Sequence, residues 1–155
     1  MNSDQPTNNL TDNDYLQLDK QICFPLYSAS NAVIRAYRPY LDALDLTYLQ
    51  YMVLMVLWQE KQLNVKALGE KLYLDSGTLT PLLKRLEAKG FVSRKRSELD
   101  ERARVISLTS EGERLKSQAK DIPMAVAAQS GLTENEHQTL KKLCLKILAT
   151  ERAFD

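Results

Sequence analysis

Apolar residues recur at helical spacing along most of the chain, and only five glycines and five prolines interrupt it, so the pattern predicts a mainly α protein with a small β-hairpin. A first long helix is expected from Phe24 to Arg38, because Pro25 suits a first turn whose amides have no helical partner and Pro39 disfavours continuation. Thr47 is placed to cap a second helix that carries the apolar run YMVLMVLW to Trp58. Asn64 caps a short third helix, VKALGEKL. After YLD a fourth begins near Ser76 and stops at Gly90, a residue suited to the left-handed position beyond a helix. FVSRKR and ARVISL, joined by SELDER, read as two strands of a hairpin with a basic rim. Thr109 caps a fifth helix beginning SEGERLKSQAKDI, and Thr133 with Glu136 makes a capping box for a sixth ending near Arg152. The expected order is four helices, a hairpin and two helices.

The third and fourth helices form a helix-turn-helix candidate. Leu79, Leu82, Leu83 and Leu86 fall on one face of the fourth helix and should be buried. The opposite face carries Gly77, Thr80, Pro81 and Lys84, with Thr78 and Arg85 at its edges and Ser76 at the start. Small residues there let the backbone approach a groove, hydroxyls can meet base edges or phosphates, and cations follow towards the helix end. From Lys84 to Arg104 eight Lys or Arg stand against four acids, so a chain of net charge +1 is net acidic by three elsewhere. The charge is segregated into one basic edge, which suits phosphate.

The length of 155 residues suits one compact domain or one lobe of an oligomer. Residues 1–13 are polar, lack the features of a signal peptide and read as a loose N-terminal arm; an exported chain is not expected. The run from 51 to 58 is far short of the roughly 20 residues that span a bilayer, so it is expected to be a buried helix and no membrane partner is expected. Two cysteines about 120 positions apart, without a CxxC pair, imply reduced thiols in the cytoplasm. His137 is the sole histidine; with no further ligands of zinc-site type nearby, neither a metal nor any other cofactor is expected.

The stretch YLDSGTLTPLLKRLEAKGFVSRKRSELDERARVISLTSEG resembles the winged helix-turn-helix of the MarR family of bacterial regulators. In that family the wing pattern D-x-R, here Asp100-Glu101-Arg102, uses the Asp to fix the loop while the Arg enters the minor groove. The resemblance implies a major-groove reader over residues 76–85 and a minor-groove probe at Arg102. The DNA-facing set so expected is Asp75, Ser76, Gly77, Thr78, Thr80, Lys84 and Arg85 on the helix, with Arg94, Arg96, Asp100 and Arg102 in the wing. It further implies a homodimer, intertwined through the first and last two helices, on double-stranded DNA with a pseudo-palindromic operator. The corresponding segments are the arm (1–13), an N-terminal dimerisation segment (14–46), the DNA-binding domain (47–109) and C-terminal dimerisation helices (110–155).

By spacing, Cys23 is readable either as a small buried hydrophobe or as a reactive thiol at a helix start, where free amides and the helix dipole favour an anion. Tyr27 lies one turn on. Tyr37 lies fourteen residues from Cys23, about 21 Å along one straight helix, so a contact between them would need a second subunit. Tyr48, at the start of the second helix, is a further phenol. The stretch LDKQICFPLYSASNAVIRAYRPYLDALDLTYLQYMVLMVLW is similar to the organic hydroperoxide sensors of the MarR family, the OhrR group. Carried over, Cys23 matches the peroxidatic cysteine, and Tyr37 and Tyr48 match the tyrosines that bond to it from the partner subunit. With the wing, the similarity covers residues of about 15 to 123.

The group implies a repressor that leaves its operator when Cys23 is oxidised by an organic hydroperoxide. Two-cysteine members have a resolving cysteine near the segment matching DIPMAVAAQSG, where this chain has none. Cys144 lies on a stripe with Leu140, Leu143, Ile147 and Leu148 and is expected to pack there. Single-cysteine behaviour follows: a sulfenic acid, then either a mixed disulfide with a low-molecular-weight thiol or irreversible overoxidation. Two other readings stand beside this one. A MarR-type repressor released by a small phenolic ligand needs no cysteine chemistry. A cysteine peroxidase is disfavoured by the missing resolving pair and catalytic base, so the chain is not expected to be an enzyme.

Overall fold

A computed structural model describes residues 14–151; the N-terminal arm at 1–13, and residues 152–155 with the expected helix end at Arg152, lie outside the described residues. The chain divides after Arg35 into two units. The first contains two short 3-10 turns, Asp14–Leu16 and Leu18–Lys20, and the opening of helix α1, Cys23–Asp42. The second carries the end of α1, then α2 (Tyr48–Glu60), β1 (Gln62–Asn64), α3 (Val65–Leu72), α4 (Ser76–Ala88), β2 (Val92–Arg96), β3 (Arg104–Leu108), α5 (Ser110–Ala119), α6 (Ile122–Gln129) and α7 (Glu134–Glu151).

Caps explain most of these boundaries. Thr47 and Gln50 form a reciprocal box at the start of α2, and the Asn64 carboxamide oxygen accepts from the amides of Lys66 and Ala67 at 2.7 and 3.4 Å. Thr109 Oγ1 accepts from the Gly112 amide, and the Thr133–Glu136 box opens α7 as expected. Gly90 takes φ +79 just past α4, the left-handed stop that its position suggests.

Three boundaries differ from the sequence reading. α1 begins at Cys23 and passes through Pro39 to Asp42. One helix bond is lost at the proline, but Leu41 is buried in the core and its carbonyl accepts from the amides of both Leu44 and Leu46, which holds the final turn. The expected fifth helix is two, α5 and α6. Pro123, in the first turn of α6, has no amide to give the carbonyl one turn back and its ring crowds that position, so the ladder stops near Lys120. The hairpin is part of a three-stranded antiparallel sheet in the order β1-β3-β2, with Leu63 opposite Ile106 and Val92 opposite Leu108.

The core of the second unit lies where α2 meets α3, α4, the sheet and α5. Val53, Leu54 and Leu57 of α2 are fully buried with Leu68, Leu79, Leu83, Leu86 and Ile106. The leucine stripe of α4 is thus buried as its spacing requires, which fixes the orientation of the opposite face. Trp58 anchors α5 by donating from Nε1 to the Gly112 carbonyl at 2.9 Å. Among the described residues no helix is long and apolar enough to cross a membrane.

Candidate functional site

The turn between α3 and α4 is tight because Tyr73 adopts a left-handed φ of 54° and the Leu74 amide returns to the Gly69 carbonyl at 3.0 Å. A Cβ at Gly69 would stand 2.8 Å from the Leu74 carbonyl oxygen, so only glycine lets the chain fold back here. Asp75 then caps α4: its Oδ1 accepts from the Thr78 amide at 2.7 Å. That hydrogen bond holds the carboxyl below the ordinary carboxylate range. The cap is therefore Asp75, with Ser76 the first helical residue; the sequence reading places Asp75 only among DNA-facing residues.

Ser76, Gly77, Thr78, Thr80, Lys84 and Arg85 are all exposed, away from the buried leucine stripe. Pro81 lies among them and has no amide, so one helix carbonyl near the start of α4 is left to solvent or a ligand.

The wing between β2 and β3 is organised by its own side chains. Asp100 Oδ1 accepts from the Arg102 amide at 2.9 Å, and the Asp100 carbonyl accepts from the Ala103 amide at 3.0 Å. Ser97 Oγ takes the Leu99 amide at 3.2 Å. Asp100 thus orders the loop, and Arg102 is exposed at its rim. Arg96 is exposed at the end of β2. Arg94 differs: it is half-buried, and its Nε donates to Glu87 Oε2 at 2.5 Å, tying the wing to α4. An open groove of about 1230 Å³ runs between α3, the start of α4 and the wing, with Lys66, Tyr73, Ser76, Arg102 and Arg104 along it.

Cys23 is the first residue of α1 and is exposed. Pro25 occupies the first turn, where its missing amide costs nothing, and the Leu26 amide donates to the Ile22 carbonyl at 3.2 Å. No acidic residue lies in that turn to compete with an anion. Tyr27, one turn on, is 70% exposed. In the second unit the rings of Tyr37 and Tyr48 meet edge to face, with centroids 5.1 Å apart. Tyr51 joins both, at 5.7 Å from Tyr37 and 6.2 Å from Tyr48, and touches Trp58 beneath.

Burial raises the pKa of Tyr37 and Tyr48, and for Tyr37 the neighbouring Tyr48 adds to it. Tyr51, 2% exposed, is pushed up to about 12 by burial and then by its two neighbours. All three stay neutral hydrogen-bonding phenols across the ordinary pH range. Tyr51 is absent from the sequence-predicted set, although its i+3 spacing from Tyr48 already puts it on the same face of α2.

The stripe on α7 is not covered as expected: Leu140, Leu143 and Ile147 are about half exposed and Cys144 is partly buried. Within the first unit Ile22, Phe24, Val33 and Ile34 are exposed as well. Apolar positions of this density at helical spacing lack a cover within each unit.

Comparison with known proteins agrees with this geometry. The transcriptional regulator SarA/Rot family matches residues 35–119. The organic hydroperoxide resistance transcriptional regulator of Bacillus subtilis is 49% identical over 130 residues, covering 84% of this chain and 86% of that protein. Among solved structures, reduced AbfR bound to DNA, a protein of Staphylococcus epidermidis, is similar with a TM-score of 0.74 at 31% identity, covering 90% of this chain and 98% of that one. A cysteine-to-serine mutant of MarR from E. coli on operator DNA has a TM-score of 0.71 at 28% identity, over 88% of this chain and 96% of that one.

Proposed function

This chain belongs to the MarR family of winged-helix transcriptional regulators, within the OhrR group, and we propose that it is a repressor whose hold on its operator ends when an organic hydroperoxide oxidises Cys23. Two separate observations support the reading: an exposed thiol at the start of α1, and in the second unit a half-buried cluster of neutral phenols at Tyr37 and Tyr48. In the proposed step the Cys23 thiolate attacks the terminal, hydrogen-bearing oxygen of the hydroperoxide. The O–O bond breaks, the alkoxide leaves and takes a proton to become the alcohol, and sulfur, oxidised by two electrons, holds the transferred oxygen as sulfenic acid. A mixed disulfide with a small thiol, or overoxidation, follows.

Phenols are donors and acceptors at once, so Tyr37 and Tyr48 of one protomer can hydrogen-bond the sulfur of another and must rearrange when it gains an oxygen. The uncovered apolar positions of α1 and α7 support a homodimer as the unit in which this happens. Two copies of α4 then enter successive major grooves of a pseudo-palindromic duplex, with each Arg102 at the adjacent minor groove. Exposed hydroxyls and cations of α4, away from its buried leucines, support that placement.

The test is a mobility-shift titration with and without cumene hydroperoxide. Wild-type protein is expected to release a duplex carrying its operator, and Cys23→Ser to bind it equally well and ignore the peroxide. Peroxide-driven release from Cys23→Ser would overturn the reading.

A further inference from the structure

Gln50, in the first turn of α2, is a buried polar side chain, 2% exposed. Its Oε1 accepts two hydrogen bonds, one from the Thr47 amide at 3.0 Å and one from the Lys89 ammonium at 3.2 Å. The same ammonium donates to the backbone carbonyl of Asp45 and lies 3.4 Å from the Asp45 carboxylate. Lys89 is the C-cap of α4, and its own amide closes the last turn on the Arg85 carbonyl. Although it counts among the eight cations of the basic stretch, it is turned inward, and its side chain is only 26% exposed. A single ammonium at the end of α4 therefore gathers three oxygens from the segment 45–50, which carries Tyr48 and leads into Tyr51.

The other buried side chains of α2 and α4, among them Val53, Leu54, Leu57, Leu79, Leu83 and Leu86, belong to the apolar core. The hydrophobic effect itself is non-directional and rewards burial in any register. A charged donor on a buried amide oxygen is directional and costly to leave unmade. When the segment 45–50 moves, α4 must follow it or break that bond.

We infer that Lys89 is a positioning residue that couples the tyrosine cluster to the DNA-facing helix, through Gln50 and the backbone of Asp45. A rearrangement at Tyr48 shifts the neighbouring Thr47–Gln50 cap, and the ammonium passes the shift to the end of α4. The inference rests on the proposed redox response of Cys23 for its biological use, but the coupling itself is a property of the Tyr48 and Lys89 side chains.

The experiment uses the full-length protein and Lys89→Met, which keeps the aliphatic stem and removes the charge; Lys89→Gln gives the same readout with a polar end. Cys23 oxidation by cumene hydroperoxide is followed by intact mass, and operator Kd is measured on reduced and oxidised samples. Oxidation is expected to proceed as in wild type, while the ratio of oxidised to reduced Kd falls by about tenfold, within the usual range of coupling between sites. An unchanged ratio overturns the inference. Should wild type itself show no ratio, the redox reading fails instead, and a double-mutant cycle of Lys89→Met with Tyr48→Phe on reduced operator binding decides the coupling: non-additive effects support it, and additive effects overturn it.

Discussion

The Tyr48 ring stands edge-on against Tyr37, with the two planes inclined at 61°, and Tyr51 closes the cluster from below. Each ring comes from a different turn of α1 or α2, so the cluster exists only where those helices join. This places neutral phenols beside the Thr47–Gln50 cap, the polar link from α2 to the end of α4.

The raised tyrosine pKa values set a pH dependence. A phenol whose folded pKa lies above its unfolded value of about 10 contributes stability fully below that value and loses it as pH rises through the folded one, about 12 for Tyr51. Phenolate absorbance should therefore show a late-titrating fraction in native protein. Tyr51→Phe should remove the latest step and flatten the loss of stability between about pH 10 and 12. A titration unchanged by Tyr51→Phe would contradict this.

Arg102 and Arg94 are both wing arginines but should behave differently. Arg102→Ala is expected to weaken operator binding and to lower the slope of log affinity against log salt by about 1 for each phosphate the wing no longer neutralises. Arg94 is held by Glu87, so Arg94→Ala should act first on the packing of the wing against α4, seen as faster hydrogen exchange in β2. Equal affinity and an equal salt slope for wild type and Arg102→Ala would remove Arg102 from the DNA-facing set.

Gly112→Ala should be severe. Its Cβ would stand 2.2 Å from the Phe91 carbonyl oxygen and 2.8 Å from a Leu108 methyl, while the Gly112 carbonyl must still accept from Trp58. Overpacking against backbone of this kind costs about 3 kcal/mol or more, readable by urea unfolding with Trp58 fluorescence as the probe. A destabilisation below about 1 kcal/mol would show that α5 shifts freely away from β2.

Cys144→Ser is expected to keep the response to organic hydroperoxide, since the proposed chemistry closes on Cys23 and a small thiol. Failure of this variant to release DNA in a shift assay would assign Cys144 the resolving step.

Much of this architecture is legible in the sequence where one local signal suffices. The α4 leucines, the caps at Thr47, Asn64, Thr109 and Thr133, the left-handed Gly90 and the D-x-R wing each rest on residues within a turn of one another. What escapes depends on distant partners. β1 is three residues long and exists because β3 offers Ile106 to Leu63. The end of α1 overrides Pro39 because the core claims Leu41. The break before α6 does have a local cause, Pro123, hidden in an otherwise helical pattern. Lys89 looks like one more surface cation, since nothing nearby in sequence reveals that Gln50 and Asp45 lie within reach.

The most direct measurement pairs intact mass with operator binding on one sample after a stoichiometric dose of cumene hydroperoxide. The fraction of chains carrying an added oxygen or thiol adduct on Cys23 should rise together with the fraction of operator released, and a thiol reductant should reverse both wherever the adduct is a disulfide. Full release with Cys23 unmodified, or fully oxidised Cys23 with undiminished binding, would contradict a sensor built on that sulfur.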